Sequence, residues 1–131
     1  MERRLIKAVS IDYIDWEIDS VGGVDLSINF TNNSIKQISY IHFTVKFYDR
    51  MGHIARCEIR DCSVIKLKVT GPINAGISKN SHWSTVIYNS ALGAIQPQKI
   101  EIDFTNGSTE TIICSGKYWT SKTYYGGVLH D

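Results

Sequence analysis

The sequence predicts an all-β domain, an immunoglobulin-like antiparallel β-sandwich of about seven to eight strands. Three observations predict it. Apolar residues recur with a period of two in nearly every segment, as in an extended chain with one dry and one wet face. Clusters of turn-forming residues interrupt these segments at the short spacing of a sandwich. No stretch sustains the longer period of an amphipathic helix. The 131 residues, 43% hydrophobic and 21% charged, make one domain large enough to bury a single core. A closed barrel is the alternative architecture.

The elements follow in order. Val9, Ile11 and Tyr13 define one face and Ile14, Trp16 and Ile18 the other, so the first strand changes phase midway, as a bulged or sheet-crossing strand does. Gly22-Gly23 turns the chain. Val24, Leu26, Ile28 and Phe30 then alternate with Asp25, Ser27, Asn29 and Thr31. Turn formers occupy Thr31 to Ser34. Ile41, Phe43, Val45 and Phe47 point one way, while Tyr40, His42, Thr44, Lys46 and Tyr48 point the other. Asp49-Arg50-Met51-Gly52 supplies a tight turn with Gly52 at positive φ, and His53 to Ile59 reads as a short strand.

Ile65, Leu67 and Val69 alternate with Lys66, Lys68 and Thr70. Gly71-Pro72 is expected to end that strand, since proline cannot donate to a ladder. Ile73 to Ser81 reads as a loop. Trp83, Thr85 and Ile87 alternate with Ser84, Val86 and Tyr88, and Trp16 and Trp83 are expected mostly in the core. Asn89 to Gln98 shows no clear period and admits a short helical turn. Ile100, Ile102 and Phe104 form a further strand, and Asn106-Gly107 is a strong hairpin signal joining it to Thr109–Cys114. Alternation is lost after Gly116. Residues 1–116 therefore read as the sandwich and 117–131 as an aromatic-rich C-terminal tail.

Charge and composition exclude several classes. Lys plus Arg is 14 and Asp plus Glu 13, for a net charge of +1, which offers no electrostatic excess for nucleic acid or an anionic membrane. No apolar run approaches the roughly 18 residues a membrane helix needs. Lys7, Ser10 and Asp12 break up what would be the apolar core of a leader after the basic start. The expectation is a cytoplasmic protein, or an extracytoplasmic one from which a leader was removed. Cys57, Cys62 and Cys114 are odd in number, so reduced thiols are expected; one bridge would leave a thiol free.

Two stretches carry a resemblance. Gly22-Gly23-Val24-Asp25-Leu26-Ser27-Ile28-Asn29-Phe30-Thr31-Asn32-Asn33-Ser34 is followed by Ile38-Ser39-Tyr40-Ile41-His42-Phe43-Thr44-Val45-Lys46-Phe47-Tyr48-Asp49. Together they resemble bacterial immunoglobulin-like domains of the FxLYD type and related groups. Thr70-Gly71-Pro72-Ile73, Trp83 and Tyr88-Asn89 are similar to further markers of uncharacterised bacterial relatives, and the likeness spans roughly residues 9–114. It implies an immunoglobulin-like sandwich without catalytic activity, and carries over no catalytic or cofactor residue. Many such relatives resemble extracytoplasmic modules attached to other domains.

The chemistry-bearing residues are sparse. No Gly-x-Ser-x-Gly elbow or protease-like cysteine signature accompanies His42, His53, His82 or His130. His53, Cys57 and Cys62 lie close in sequence, but their spacing is wider than most zinc knuckles and no second Cys/His pair follows. Asp12, Asp15, Glu17 and Asp19 form an acidic run that a charged edge strand explains. Phosphate cradles are absent. The informative surplus is aromatic. Tyr40, His42 and Tyr48 fall on faces that alternation makes wet, and Trp119 and Tyr124 lie in a tail that should be polar. The reading is a non-enzymatic binding module for a protein partner, a second copy included, acting through sheet faces, edge strands or the tail. Tyr40, His42, Tyr48, Trp119 and Tyr124 are its contact candidates; no cofactor or metal is assigned. A carbohydrate-binding module using the same rings is the alternative, and a metal-dependent hydrolase built on His53, Cys57 and Cys62 a second one.

Overall fold

Alternation along two strands, one in each layer, builds the core. The structure is a computed structural model and describes residues 7–120. Its strands are β1 (Val9–Ile18), β2 (Gly23–Asn32), β3 (Ile38–Asp49), β4 (Val64–Ile73), β5 (Ser78–Tyr88), β6 (Leu92–Phe104) and β7 (Thr109–Ile113). Val24, Leu26, Ile28 and Phe30 of β2 meet Ile41, Phe43, Val45 and Phe47 of β3, all fully buried. The Phe30 and Phe43 rings lie 5.4 Å apart, centroid to centroid, across the interface. Each of these side chains contributes about 1.5–3 kcal/mol by leaving water.

The strands form two antiparallel sheets, one in the order β1-β2-β5 and one in the order β4-β3-β6-β7. This is an immunoglobulin-like sandwich in which the fourth strand lies beside β3 rather than beside β5, where the constant-domain arrangement places it. The chain crosses between layers after β2, β4 and β5. Both tight turns read from the sequence are present. Gly52 donates to the Asp49 carbonyl at φ 85°, and Gly107 donates to the Phe104 carbonyl at φ 91°. The phase change in β1 is a bulge between Ile11 and Tyr13.

The structure corrects four local expectations. His53–Ile59 is not a strand. Only Ile54 bridges to Tyr48; the chain then turns inward to bury Ala55 and Cys57, and the Glu58 amide donates to Tyr88 rather than to a ladder. Gly71-Pro72 does not end β4, because β4 is an edge strand and its pairing with β3 is irregular between Thr70 and Ile73, where proline is tolerated. Gly71 is required there, since a Cβ would fall 2.4 Å from the Ile38 carbonyl oxygen. Only Asn74–Ile77 lies between strands where a longer loop was expected, as the polar Ser78–Ser81 pairs with Thr31–Ile28. Asn89–Gln98 is mostly β6. Irregular pairing between Tyr48 and Asp49, and again between Thr44 and Val45, breaks its period, and the second irregularity accommodates the buried Pro97.

The alternation expected of Trp83, Thr85 and Ile87 also fails midway. Thr85 adopts φ 48°, a rare conformation for a β-branched residue, with its amide held by the Asp25 carboxylate at 2.9 Å. Beyond it Val86 and Ile87 are both buried. Trp16 is core, whereas Trp83 is only half-buried and donates its indole N–H to the Lys68 carbonyl, linking the β5 and β4 edges.

Asn32, at the end of β2, is fully buried and polar. Its amide group spans the carbonyls of Lys36 at 2.9 Å, Ile73 at 3.1 Å and Asn74 at 3.2 Å. Its Oδ1 accepts from the Ser34 amide and hydroxyl, while its backbone donates to Ile77 and accepts from Gly76. The β2–β3 and β4–β5 crossings are thereby tied to one side chain. Asn32→Ala is expected to lower stability by about 2–4 kcal/mol, because it strands buried carbonyls. Asn32→Asp should cost at least as much, since it aims a charge at the same oxygens. Urea unfolding reads this as a lower midpoint at an unchanged slope.

Candidate functional site

Pairing places β3 in the middle of its sheet, so its outward residues line up with those of β4 and β6. Tyr40 stands between Thr70 and Asp103, His42 between Lys68 and Glu101, and Thr44 between Lys66 and Lys99. Lys46, Lys66, Lys68 and Lys99 share this face with Glu101 and Asp103. Glu101 sits 3.3 Å from the Lys66 ammonium and 4.0 Å from that of Lys99. These pairs are partly exposed and add little stability; they leave the lysines of this face in excess. Tyr40 is 38% exposed, and the Lys68 ammonium rests 4.4 Å from its ring centre.

The contact candidates separate into distinct environments. Tyr40 and His42 are neighbours on the open face, as alternation predicted. Tyr48, further along β3, is already engaged: its ring meets Tyr118 edge-on at 5.1 Å and its hydroxyl donates to Gln96. The adjacent Tyr48 phenol, with some burial, pushes the Tyr118 hydroxyl above its ordinary value. Trp119 is half-buried and lies away from that face. It exchanges backbone hydrogen bonds with Ile95 at 2.8 and 2.9 Å, and its ring meets Tyr13 edge-on at 6.1 Å. Residues 117–120 thus run along β6 beyond β7. Tyr124 lies outside the described residues.

The outer face of the smaller sheet has the opposite character. Asp12, Thr31 and Ser78 are hydrogen-bonded in a row, and the Asn80 amide donates to Asn29. Ser27 and His82 meet at 2.9 Å, an exposed pair the sequence gave no reason to join. Asp15 pairs with Ser27 in register, so the hydroxyl lies between carboxylate and imidazole. A catalytic triad requires the imidazole in the middle. The row therefore reads as cross-strand hydrogen bonding. Asp19 accepts the Val21 and Gly23 amides and shapes the β1–β2 turn.

The proposed metal set is not assembled. His53 sits exposed at the β3 hairpin with Asp49 3.9 Å away, while Cys57 is buried. Among the described residues no group of three or more His, Cys, Asp or Glu could hold an ion.

Cys57 carries the most perturbed thiol. Burial pushes it up, but the amides of Arg60, Tyr88 and Ile59, with the Arg60 side chain, outweigh that and bring it down to about 7. Its Sγ accepts from the Arg60 amide at 3.5 Å and the Tyr88 amide at 3.4 Å. Burial pushes the Cys114 thiol up, against the pull of Lys7. An unfolded thiol titrates at about pH 8.5. Cys57 therefore binds its proton less tightly in the folded chain, and its contribution to stability is full above that value and lost as pH falls through about 7. Wild type should gain stability over Cys57→Ser as pH rises through this window; parallel stability curves for the two proteins would show that the thiolate is not held.

No family model and no curated protein matches the sequence. Among solved structures, the Northeast Structural Genomics Consortium target SoR45 is similar, with a TM-score of 0.54 at 12% identity, covering 97% of this chain and 94% of that one. A Bordetella pertussis protein assigned as ApaA aligns with a TM-score of 0.48 at 10% identity, over 86% of this chain and 91% of that one. At these identities the likeness to SoR45 is one of fold alone. The class defined is thus an all-β immunoglobulin-like sandwich with a lysine- and tyrosine-bearing outer sheet face.

Proposed function

We propose that the protein is a non-enzymatic recognition module that binds a protein partner through the outer face of the β4-β3-β6 sheet. The observation that carries this reading is the Tyr40–Lys68 stack. It places an exposed aromatic ring under a cation, beside His42, on strands whose opposite faces are locked in the core. Tyrosine anchors with neighbouring cations are suited to protein contacts, because the ring supplies area at little entropic cost. The lysine excess selects a partner whose matching surface is acidic. The resemblance to FxLYD-type domains points the same way, as those look like appended modules without catalytic residues.

The carbohydrate reading draws less support. A sugar stacks on a bare ring face, and here Lys68 covers one face of Tyr40 while Tyr118 packs on Tyr48. The hydrolase reading lacks an assembled ligand set.

The test is capture of partners from the native lysate by wild type and by Tyr40→Ala/Lys68→Ala. The double variant should keep its unfolding midpoint, with surface changes costing within about 0.5 kcal/mol. A partner retained by wild type should be lost, and its affinity should fall with added salt. Undiminished capture by the folded variant would remove the face from the account. A glycan retained by wild type and lost by the variant would favour the sugar reading instead.

A further inference from the structure

On the side of the sandwich remote from Trp83, β1 does not close down on the edge of the larger sheet. A cavity of about 200 Å³ opens between them. Its floor is the buried Pro97 with the core residues Ile100 and Ile112, and its wall includes the half-buried Trp119. The lining is mostly apolar, yet among the described residues Lys7 and Lys117 both belong to it and no Asp or Glu does. Lys117 holds its ammonium 4.2 Å from the Trp119 ring centre. Burial raises the thiol of Cys114, another lining residue, and the charge of Lys7 opposes that rise.

We infer that this cavity is a binding site for a small amphipathic carboxylate, with its apolar body on Ile100, Ile112 and Trp119 and its charge between Lys7 and Lys117. The size agrees, since an apolar cavity of about 150 Å³ holds a benzene molecule; this one suits roughly ten heavy atoms. An apolar chamber with a few converging polar groups is the general form of a small-molecule site. The two cations, with no carboxylate among the described lining residues, favour an anionic ligand. An amine of the same length would bring like charges together, and a neutral alcohol would gain only the apolar contact. The site is separate from the Tyr40 face, so either assignment can fail without the other.

The probe is octanoate, compared with octylamine and octanol, titrated into the full chain and read by the indole N–H resonances in two-dimensional NMR. Trp16, Trp83 and Trp119 give three signals, with Trp119→Phe identifying the third. Octanoate should move the Trp119 signal saturably and leave Trp16 and Trp83 in place. Octylamine should not move it, and octanol should bind more weakly. Lys7→Gln/Lys117→Gln should weaken octanoate about fivefold, as expected for partly exposed ion pairs, while octanol binding stays unchanged. Slower modification of Cys114 by a neutral thiol reagent in the presence of octanoate, mapped by mass spectrometry, is a second expected result. Equal shifts from all three ligands, no saturable shift up to about 10 mM, or an undiminished octanoate response in the double lysine variant would each overturn the assignment.

Discussion

Asn32 is the single buried polar residue among those described, and two of the three crossings between layers are fastened to it. Burying an amide is costly unless its donors and acceptors are used. Here they are more than used, since two N–H groups are shared among three carbonyls while Oδ1 serves Ser34. Sheet hydrogen bonds hold each layer together, but they do not hold one layer to the other. That task falls to the apolar interface, which is non-directional, and to contacts that span both sheets. Asn32 gives this end a fixed geometry, so that Phe30 and Phe43 meet in one register.

Two tryptophans treat the sides differently. Trp83 hydrogen-bonds from β5 to β4 and draws those edges together. Trp119 approaches from the C-terminal segment, pairs with Ile95 and meets Tyr13 of β1, but leaves a chamber beneath it. One side is thus joined and the other is open with cations at its mouth. The proposed recognition face follows from the same logic. Because Ile41, Phe43, Val45 and Phe47 are held inside, Tyr40 and His42 are presented outward on the most constrained part of the sheet, and binding them need not order the backbone.

The regular strands were legible because period two is enforced by water on one side and the core on the other. Val24 to Phe30 and Ile41 to Phe47 show that rule without interruption. The sequence was opaque where local geometry breaks the period. Thr85 at positive φ puts two neighbours inside, and the irregular pairing near Pro97 hides a long strand in a segment that showed no periodicity. The tail was half legible. Its aromatic surplus signalled packing, but only the register with Ile95 shows that Trp119 serves the side of the sandwich, apart from the Tyr40 face. Ser27 and His82, far apart in sequence, carried no signal of their pairing.

Amide hydrogen exchange on the native chain tests the account of the Asn32 knot most directly. The Asn32 and Gly76 amides, bonded to Ile77 and to Asn32 respectively, lie in or beside loops and would ordinarily exchange early. If the knot makes the two layers one cooperative unit, both should exchange as slowly as the central β2 and β3 amides, through global unfolding. Exchange at the rate of the exposed Met51 and Gly52 turn would contradict it, and the crossings would then be independent of the core.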